Sequence, residues 1–216
     1  MPRAGLDAAA VTEAGAALAD EIGFAELSMS LVAERLGVRT PSLYKHVDGL
    51  ADLARRVCIL AVTELGEAVR DATQGRARRD ALEGAAQALR GYVKQHPGRY
   101  AATVGVRPTG PDDPLAGALK RALTPLSAVL LGYRLDPADE IHAARMLRSM
   151  LDGFATLEIS DGFQMRTDVD ASFTWMVDFI DQGLRSTATN AGHGRVVSPR
   201  PRRRDRQPAG RMNIAR

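Results

Sequence analysis

One cysteine, few aromatics and no long apolar run are the first things this chain lacks. With Cys58 alone, no internal disulfide can form and no thiolate metal cluster can assemble. Its neighbours Val57, Ile59 and Leu60 make it a small core residue rather than a reactive thiol. Aromatic residues are 5% of the chain, so alanine and leucine must carry the packing, which suits close-packed helices better than a β-sandwich. Neither strand-like alternation nor an Asn-Gly hairpin turn appears. The longest charge-free apolar stretch lies between Arg121 and Arg134, contains Pro125 and is too short to span a bilayer. Arg3, Asp7 and Glu13 interrupt the N-terminus, so no targeting segment is read there. A soluble, cytoplasmic protein is expected.

Catalytic signatures are equally scarce. The four histidines, at 46, 96, 142 and 193, form no His-Glu-x-x-His pair and no evident couple with Cys58, so no metal site is expected. No Gly-x-Ser-x-Gly elbow is present, and the loop 107–113 lacks the spacing of a glycine-rich nucleotide motif. These gaps argue against an enzyme, and no cofactor is expected.

What is present is an informative stretch from Ser28 to Val47. Ser28 suits the N-cap of a short helix, with Leu27 and Val32 placed to close a hydrophobic staple around it. Gly37 supplies the left-handed residue that ends that helix. Thr40 is then expected to cap a second helix over 40–47, with Pro41 in its first position. Leu43 and Val47 turn inward, which leaves Ser42, Lys45 and His46 on the other side and Tyr44 at its margin. Two short helices with a tight turn and a polar, basic second helix make a helix-turn-helix, or else an ordinary surface hairpin. In the first case Ser28, Arg39, Thr40, Pro41, Ser42, Tyr44, Lys45 and His46 are the residues expected at DNA, where hydroxyls, ammonium and imidazole meet phosphates and base edges.

The residues in this stretch carry a resemblance. Gly23-Phe24, Leu27-Ser28-Met29, Val32-Ala33, Leu36-Gly37-Val38 and Ser42-Leu43-Tyr44-Lys45-His46-Val47 resemble the N-terminal domain of the TetR (tetracycline-repressor-like) family of transcriptional regulators. A leading amphipathic helix with Val11, Ala14, Leu18 and Ile22 on one face also fits. The resemblance implies an all-α homodimer: an N-terminal three-helix DNA-binding domain, then a helical domain for ligand binding and dimerisation. It also implies a pseudo-palindromic DNA operator as partner and a small-molecule effector that releases it. One position departs from the pattern. Where the family usually has a phosphate-contacting lysine at the start of the fourth helix, this chain has Leu50. Asp48 adds local repulsion there, though it could cap that helix.

The rest of the chain is organised by helix signals. A long helix is expected from about Leu50 to Ala72, and another from about Asp80 to Gln95, closed by His96-Pro97. Asp113-Pro114 and Asp136-Pro137 mark helix starts; Thr124-Pro125 either starts a helix or interrupts a continuing one. Helices over about 138–159 and 171–185 carry broad apolar stripes, Ile141, Ala144, Leu147, Leu151 and Phe154 on one, and Phe173, Met176, Val177, Ile180 and Leu184 on the other. Such stripes meet either the monomer's own core or a second subunit. Candidate ligand-lining residues are Tyr92, His96 and Tyr100, then Met146, Met150 and Phe154, and Trp175, with core packing as the alternative role.

The expected divisions are 1–50 for the DNA-binding domain, 51–186 for the ligand-binding and dimerisation domain, and 187–216 for a disordered basic tail. Eight arginines and one acid fall in 195–216, so the net charge of +3 divides into +7 there and −4 elsewhere. Positive charge for DNA must therefore be placed locally, as it is at Arg35, Arg39 and Lys45, or come from the tail. The function read from all this is a ligand-responsive DNA-binding regulator, more a repressor than an activator. A non-specific architectural DNA binder and a small helical enzyme are the alternatives.

Overall fold

The computed structural model describes residues 6–192, and among them every regular element is helical. The order is α1 (Ala8–Ile22), a 3₁₀ turn (Phe24–Glu26), α2 (Met29–Arg35), α3 (Thr40–Leu43), α4 (Leu50–Thr73), α5 (Arg78–Gln95), α6 (Pro97–Ala101), α7 (Pro114–Leu131), α8 (Pro137–Ile159) and α9 (Val169–Gly192). No helix among the described residues is long and apolar enough to cross a membrane.

Four helix starts follow local side-chain chemistry. The Asp7, Ser28, Asp113 and Asp136 side chains each accept a backbone N–H from the first turn of α1, α2, α7 and α8 respectively, the orphan donors that a helix start leaves open. Asp113 does more than cap. Its carboxylate also takes the Thr109 N–H at 2.7 Å and hydroxyl at 2.9 Å, and it pairs with Arg55 of α4, tying the loop before α7 to the middle of the molecule. These bonds, the Thr109 and Leu115 N–H groups foremost, hold it far below the usual carboxylate range. Pro125 lies inside α7 and the helix continues through it, which settles the reading of Thr124-Pro125.

α9 runs to Gly192, so the basic tail expected from residue 187 begins with helix. Phe173, Val177, Ile180 and Leu184 bury one face of α9 against the body, and Ala188 packs partly buried beside them. The remainder, 193–216, lies outside the described residues.

The apolar interior has two main centres. One gathers α1, α2, α3 and the first half of α4 around Val11, Val32, Leu43, Val47, Leu53 and Val57, with Leu115 and Ala118 of α7 closing it. The other lies among α5, α7, α8 and α9 around Leu82, Leu130, Leu147, Leu151, Phe173 and Ile180. A small cluster of Ala61, Tyr92, Val93, Tyr100 and Ala155 bridges α4, α5, α6 and α8. α4 contributes to all three and packs on α7 so closely that a Cβ at Gly66 would lie 2.7 Å from Ala122 Cα. Cys58 is buried in the first centre, and burial pushes its thiol up from the ordinary value. Ile22, expected on the inward face of α1, is exposed: Gly23 (φ 92°) turns the chain away immediately after it.

Where α1 meets the body, charge replaces grease. Arg99 of α6 is only 9% exposed and reaches three carboxylates on two other helices at once. Its Nε donates to Asp20 of α1 at 2.9 Å, Nη1 to Glu64 of α4 at 2.8 Å and Nη2 to Glu13 of α1 at 2.6 Å. The Arg99 backbone N–H donates to Asp20 as well, and His96 Nδ1 lies 3.1 Å from the same carboxylate. A planar guanidinium with five donors can serve several carboxylates in this way. Gly98 makes the approach possible, since a Cβ there would overlap the Ala19 carbonyl.

Candidate nucleic-acid interface and ligand cavity

The exposed end of the first core presents the helix pair read from sequence. In α2 the Ser28 hydroxyl accepts the Leu31 N–H at 3.4 Å, while Leu27 and Val32 are both buried on either side of that cap. After α2 the chain forms a Schellman turn: Gly37 (φ 65°) donates to Glu34 O and Val38 donates to Ala33 O, each at 3.0 Å. Arg39, not Thr40, then stands at the N-cap of α3, without a side-chain cap bond. Thr40 is the first helical residue and Pro41 the second, one place later than expected; both lack a required intrahelical N–H partner, so proline is tolerated in either.

α3 is a single turn rather than a helix over 40–47. The Ser42 N–H bonds to Arg39 O and His46 to Leu43 O, both i→i+3, and residues 44–46 continue as turn. Leu43 and Val47 are buried, worth about 1.5–3 kcal/mol each, and they fix which side faces out. Arg39, Pro41, Tyr44 and Lys45 are exposed, and Thr40, Ser42, His46 and Ser28 are half-buried along the same edge. Tyr44 is 55% exposed.

Two charges near this edge behave differently from the sequence reading. Arg35 is engaged by Glu21 of α1 through two bonds, at 2.7 and 2.8 Å, so it braces α2 against α1 rather than adding free positive charge. Asp48 does not cap α4; its own N–H donates instead to the Asp52 carboxylate at 3.0 Å, and Gly49 (φ 114°) makes the turn. Leu50 opens α4 with its side chain 42% exposed.

A cavity of about 100 Å³ lies in the body between α4, α5, α7 and α8, open toward solvent at Leu123 and Arg148. Its walls are almost wholly apolar, from Leu65, Leu89, Leu119, Leu123, Leu126 and Leu151 among others. Tyr100, Thr103, Arg148 and Asp152 make one polar end. The Tyr100 hydroxyl donates to Asp152 Oδ1 at 2.5 Å, and Arg148 Nε to Oδ2 at 3.0 Å. Burial, with the Asp152 carboxylate next in importance, raises the Tyr100 phenol far above its ordinary value, so it stays protonated.

Of the seven ligand candidates, only Tyr100 lines this cavity. Tyr92 gives its hydroxyl to Glu64 at 2.8 Å, and His96 sits against Asp20. Phe154 packs on Phe163 and Phe173 beside Arg90, whose guanidinium lies 4.6 Å from the Phe173 ring and bonds Glu158 and Asp170. Met146 and Met150 border a separate groove between α8 and α9 with His142, Phe179 and Gly183. Trp175 stands on the surface, 68% exposed, stacked 5.5 Å from Phe179. The second stripe therefore fills the monomer core, while Ile141, expected in the first, is exposed. Most of the cavity wall, including Arg148 and Asp152, escapes a reading by spacing, because four separate helices contribute it. Among the described residues, no three His, Cys, Asp or Glu side chains are grouped to hold a metal ion.

The signature of the bacterial regulatory proteins of the tetR family matches residues 11–57, which hold the first core and the exposed edge. That of the tetracyclin repressor-like C-terminal domain matches residues 82–180, which hold most of the body. The uncharacterized HTH-type transcriptional regulator Rv0681 of Mycobacterium tuberculosis is 38% identical to this chain, covering 84% of it and 83% of its own length. Among solved structures, a TetR variant from Acinetobacter baumannii AYE in complex with minocycline superposes with a TM-score of 0.62 at 25% identity, over 84% of this chain and 98% of that one. BioQ with its double-stranded DNA operator superposes with a TM-score of 0.61 at 21% identity, over 84% and 99%. The all-helical fold, the helix-turn-helix at its head and these relationships together place the chain in the TetR family of DNA-binding transcriptional regulators.

Proposed function

We propose that the protein is a homodimeric repressor that places residues 40–46 of each subunit in the major groove of a pseudo-palindromic operator and loses affinity when a small molecule occupies its body. The observation that carries this reading is the polarity of α3 and the turn after it. Leu43 and Val47 anchor the segment in the first core, while Arg39, Pro41, Tyr44 and Lys45 are exposed together. Ser28, Thr40, Ser42 and His46 flank them and suit phosphate or base contacts. The division of labour is a head through about residue 50 that reads DNA and a body from 51 to 186 that dimerises and senses, acting in the cytoplasm and without catalysis.

Dimerisation is supported by what the outer side of α8 and α9 exposes: Ile141, Met146, Trp175 and Phe179, beside the groove between the two helices. Ligand response is supported by the cavity, because α4 runs from the head into its wall. A ligand that favours the DNA-incompetent arrangement by about 1–3 kcal/mol weakens operator affinity 5- to 150-fold.

The test begins with selection of bound genomic fragments. A palindromic consensus preferred about 10³-fold or more over unrelated DNA supports the operator reading, and its absence favours the architectural alternative. On the selected operator, Tyr44→Ala and Lys45→Ala are each expected to weaken binding roughly tenfold, or about 1.4 kcal/mol, with helicity and mass in solution unchanged. Wild-type binding by both variants refutes the assignment of the reading segment.

A further inference from the structure

Apart from the arginine at its rim, the cavity's polar end offers only hydrogen-bond acceptors, and this narrows what can occupy it. The Tyr100 proton is committed to Asp152 Oδ1, so toward the cavity that hydroxyl offers only lone pairs. The Thr103 hydroxyl donates to the Tyr100 carbonyl at 2.7 Å and is likewise left as an acceptor. The Asp152 carboxylate has taken one bond on each oxygen and has roughly two further acceptor sites. Among the described residues that line the cavity Arg148 is the one cation; its Nε is given to Asp152, its Nη groups are the only donors left at this end, and its side chain is more than half exposed, at the rim rather than in the interior. The rest of the wall is leucine, valine and alanine.

Resting on the reading of this cavity as the effector site, we propose that it takes a small, mainly apolar molecule whose head donates hydrogen bonds, a phenol, alcohol or ammonium, and that it rejects carboxylates. A donor head satisfies the open lone pairs of Asp152, Tyr100 and Thr103. A carboxylate head meets like charge on Asp152 and the lone pairs of Tyr100 and Thr103, and the only donors open to it are the Arg148 Nη groups, on a side chain more than half exposed at the rim whose charge is already paired with Asp152. Size points the same way. The volume of about 100 Å³ is below the 150 Å³ or so that holds a benzene molecule, so the body of the ligand is one ring or a short chain, and even a ring parts α7 from α4 slightly.

Isothermal titration of the full-length protein with 4-ethylphenol, 4-ethylbenzylamine and 4-ethylbenzoate holds the body nearly constant and varies the head. At least one donor probe is expected to bind tenfold or more tighter than the benzoate. Asp152→Asn, which keeps the shape and gives up the charge, is expected to shrink that preference to threefold or less. Leu123→Trp, which fills the cavity from its exposed side, is expected to abolish heat from all three probes. Equal or tighter binding of the benzoate, no heat from any probe, or a preference untouched by both substitutions overturns the proposal. The titration contains no DNA, so an error in the operator reading leaves its outcome intact, and a failure here leaves the reading of residues 40–46 standing.

Discussion

Gly98→Ala is the most demanding single-atom test of how the head is fastened to the body. The new Cβ would overlap the Ala19 carbonyl and lie 2.6 Å from the Asp20 nitrogen, both backbone groups in the last turns of α1. Backbone in a helix cannot rotate aside as a side chain does, so α6 must retreat by roughly 1 Å to restore ordinary contact. That retreat costs about 1–3 kcal/mol as overpacking. It also draws the Arg99 N–H and Nε away from Asp20, which they reach at 2.8 and 2.9 Å. Breaking a buried pair is worth about 3–5 kcal/mol. Here Glu13 is more than half exposed, so that arm adds little, and the two effects share one movement and do not add. A net loss of about 3 kcal/mol is expected, lowering Tm by roughly 6–12 °C for a chain of this size. Gly91→Ala on α5 is the control. A Cβ there meets nothing within 4 Å, so the variant gains about 0.4–1 kcal/mol from helix propensity and chain entropy. Urea titration followed by circular dichroism measures both. A Gly98→Ala variant within 1 kcal/mol of wild type, or a Gly91→Ala variant that loses as much, refutes the reasoning.

Leu50→Lys restores a cation at the first position of α4; operator affinity is expected to rise, and the log–log salt slope to steepen by about one unit in mobility-shift titrations across salt. Trp175→Glu combined with Phe179→Glu puts charge on the exposed stack of α9, and sedimentation is expected to show monomers that keep wild-type helicity. For pH, the Arg90 guanidinium, helped by Lys94, holds the Glu158 carboxyl down at about 2 against an ordinary value of 4.5. Its folded value is the lower one, so its contribution is complete above about pH 4.5 and is lost as pH falls toward 2. Glu158→Gln is therefore expected to be less stable than wild type at pH 7 and to show a flatter decline between those pH values in urea titrations.

Legibility in the sequence tracked the range of the interaction. The Ser28 cap, the Gly37 turn, Asp113-Pro114 and Asp136-Pro137 are chemistry between residues a few places apart, and the structure has them where spacing puts them. Errors of one place arise where two positions are equally permissive, as at Thr40 and Pro41, whose N–H groups are both orphaned by a helix start. Asp48 was a plausible cap by type, yet Asp52 approaches from the helix side and reverses the bond. Arg35 looked free because Glu21 is fourteen residues away. Arg148 and Asp152 lie four apart on α8 and are individually unremarkable; only the packing of α6 beside them brings Tyr100 to the same point. The broad stripe on α9 could not say whether it met its own chain, and the answer depended on α5, α7 and α8 arriving over it.

α4 is one unbroken rod of 24 residues, about 36 Å from end to end. Were it to pivot at the tight Gly66–Ala122 crossing, it would be a lever with unequal arms: some sixteen residues toward Leu50 and seven toward Thr73. A displacement of half an ångström on the short side would then be magnified to about 1 Å at the far tip. Paired rods in a dimer would double that change in the separation of their tips, against a ruler as unforgiving as the pitch of B-form DNA.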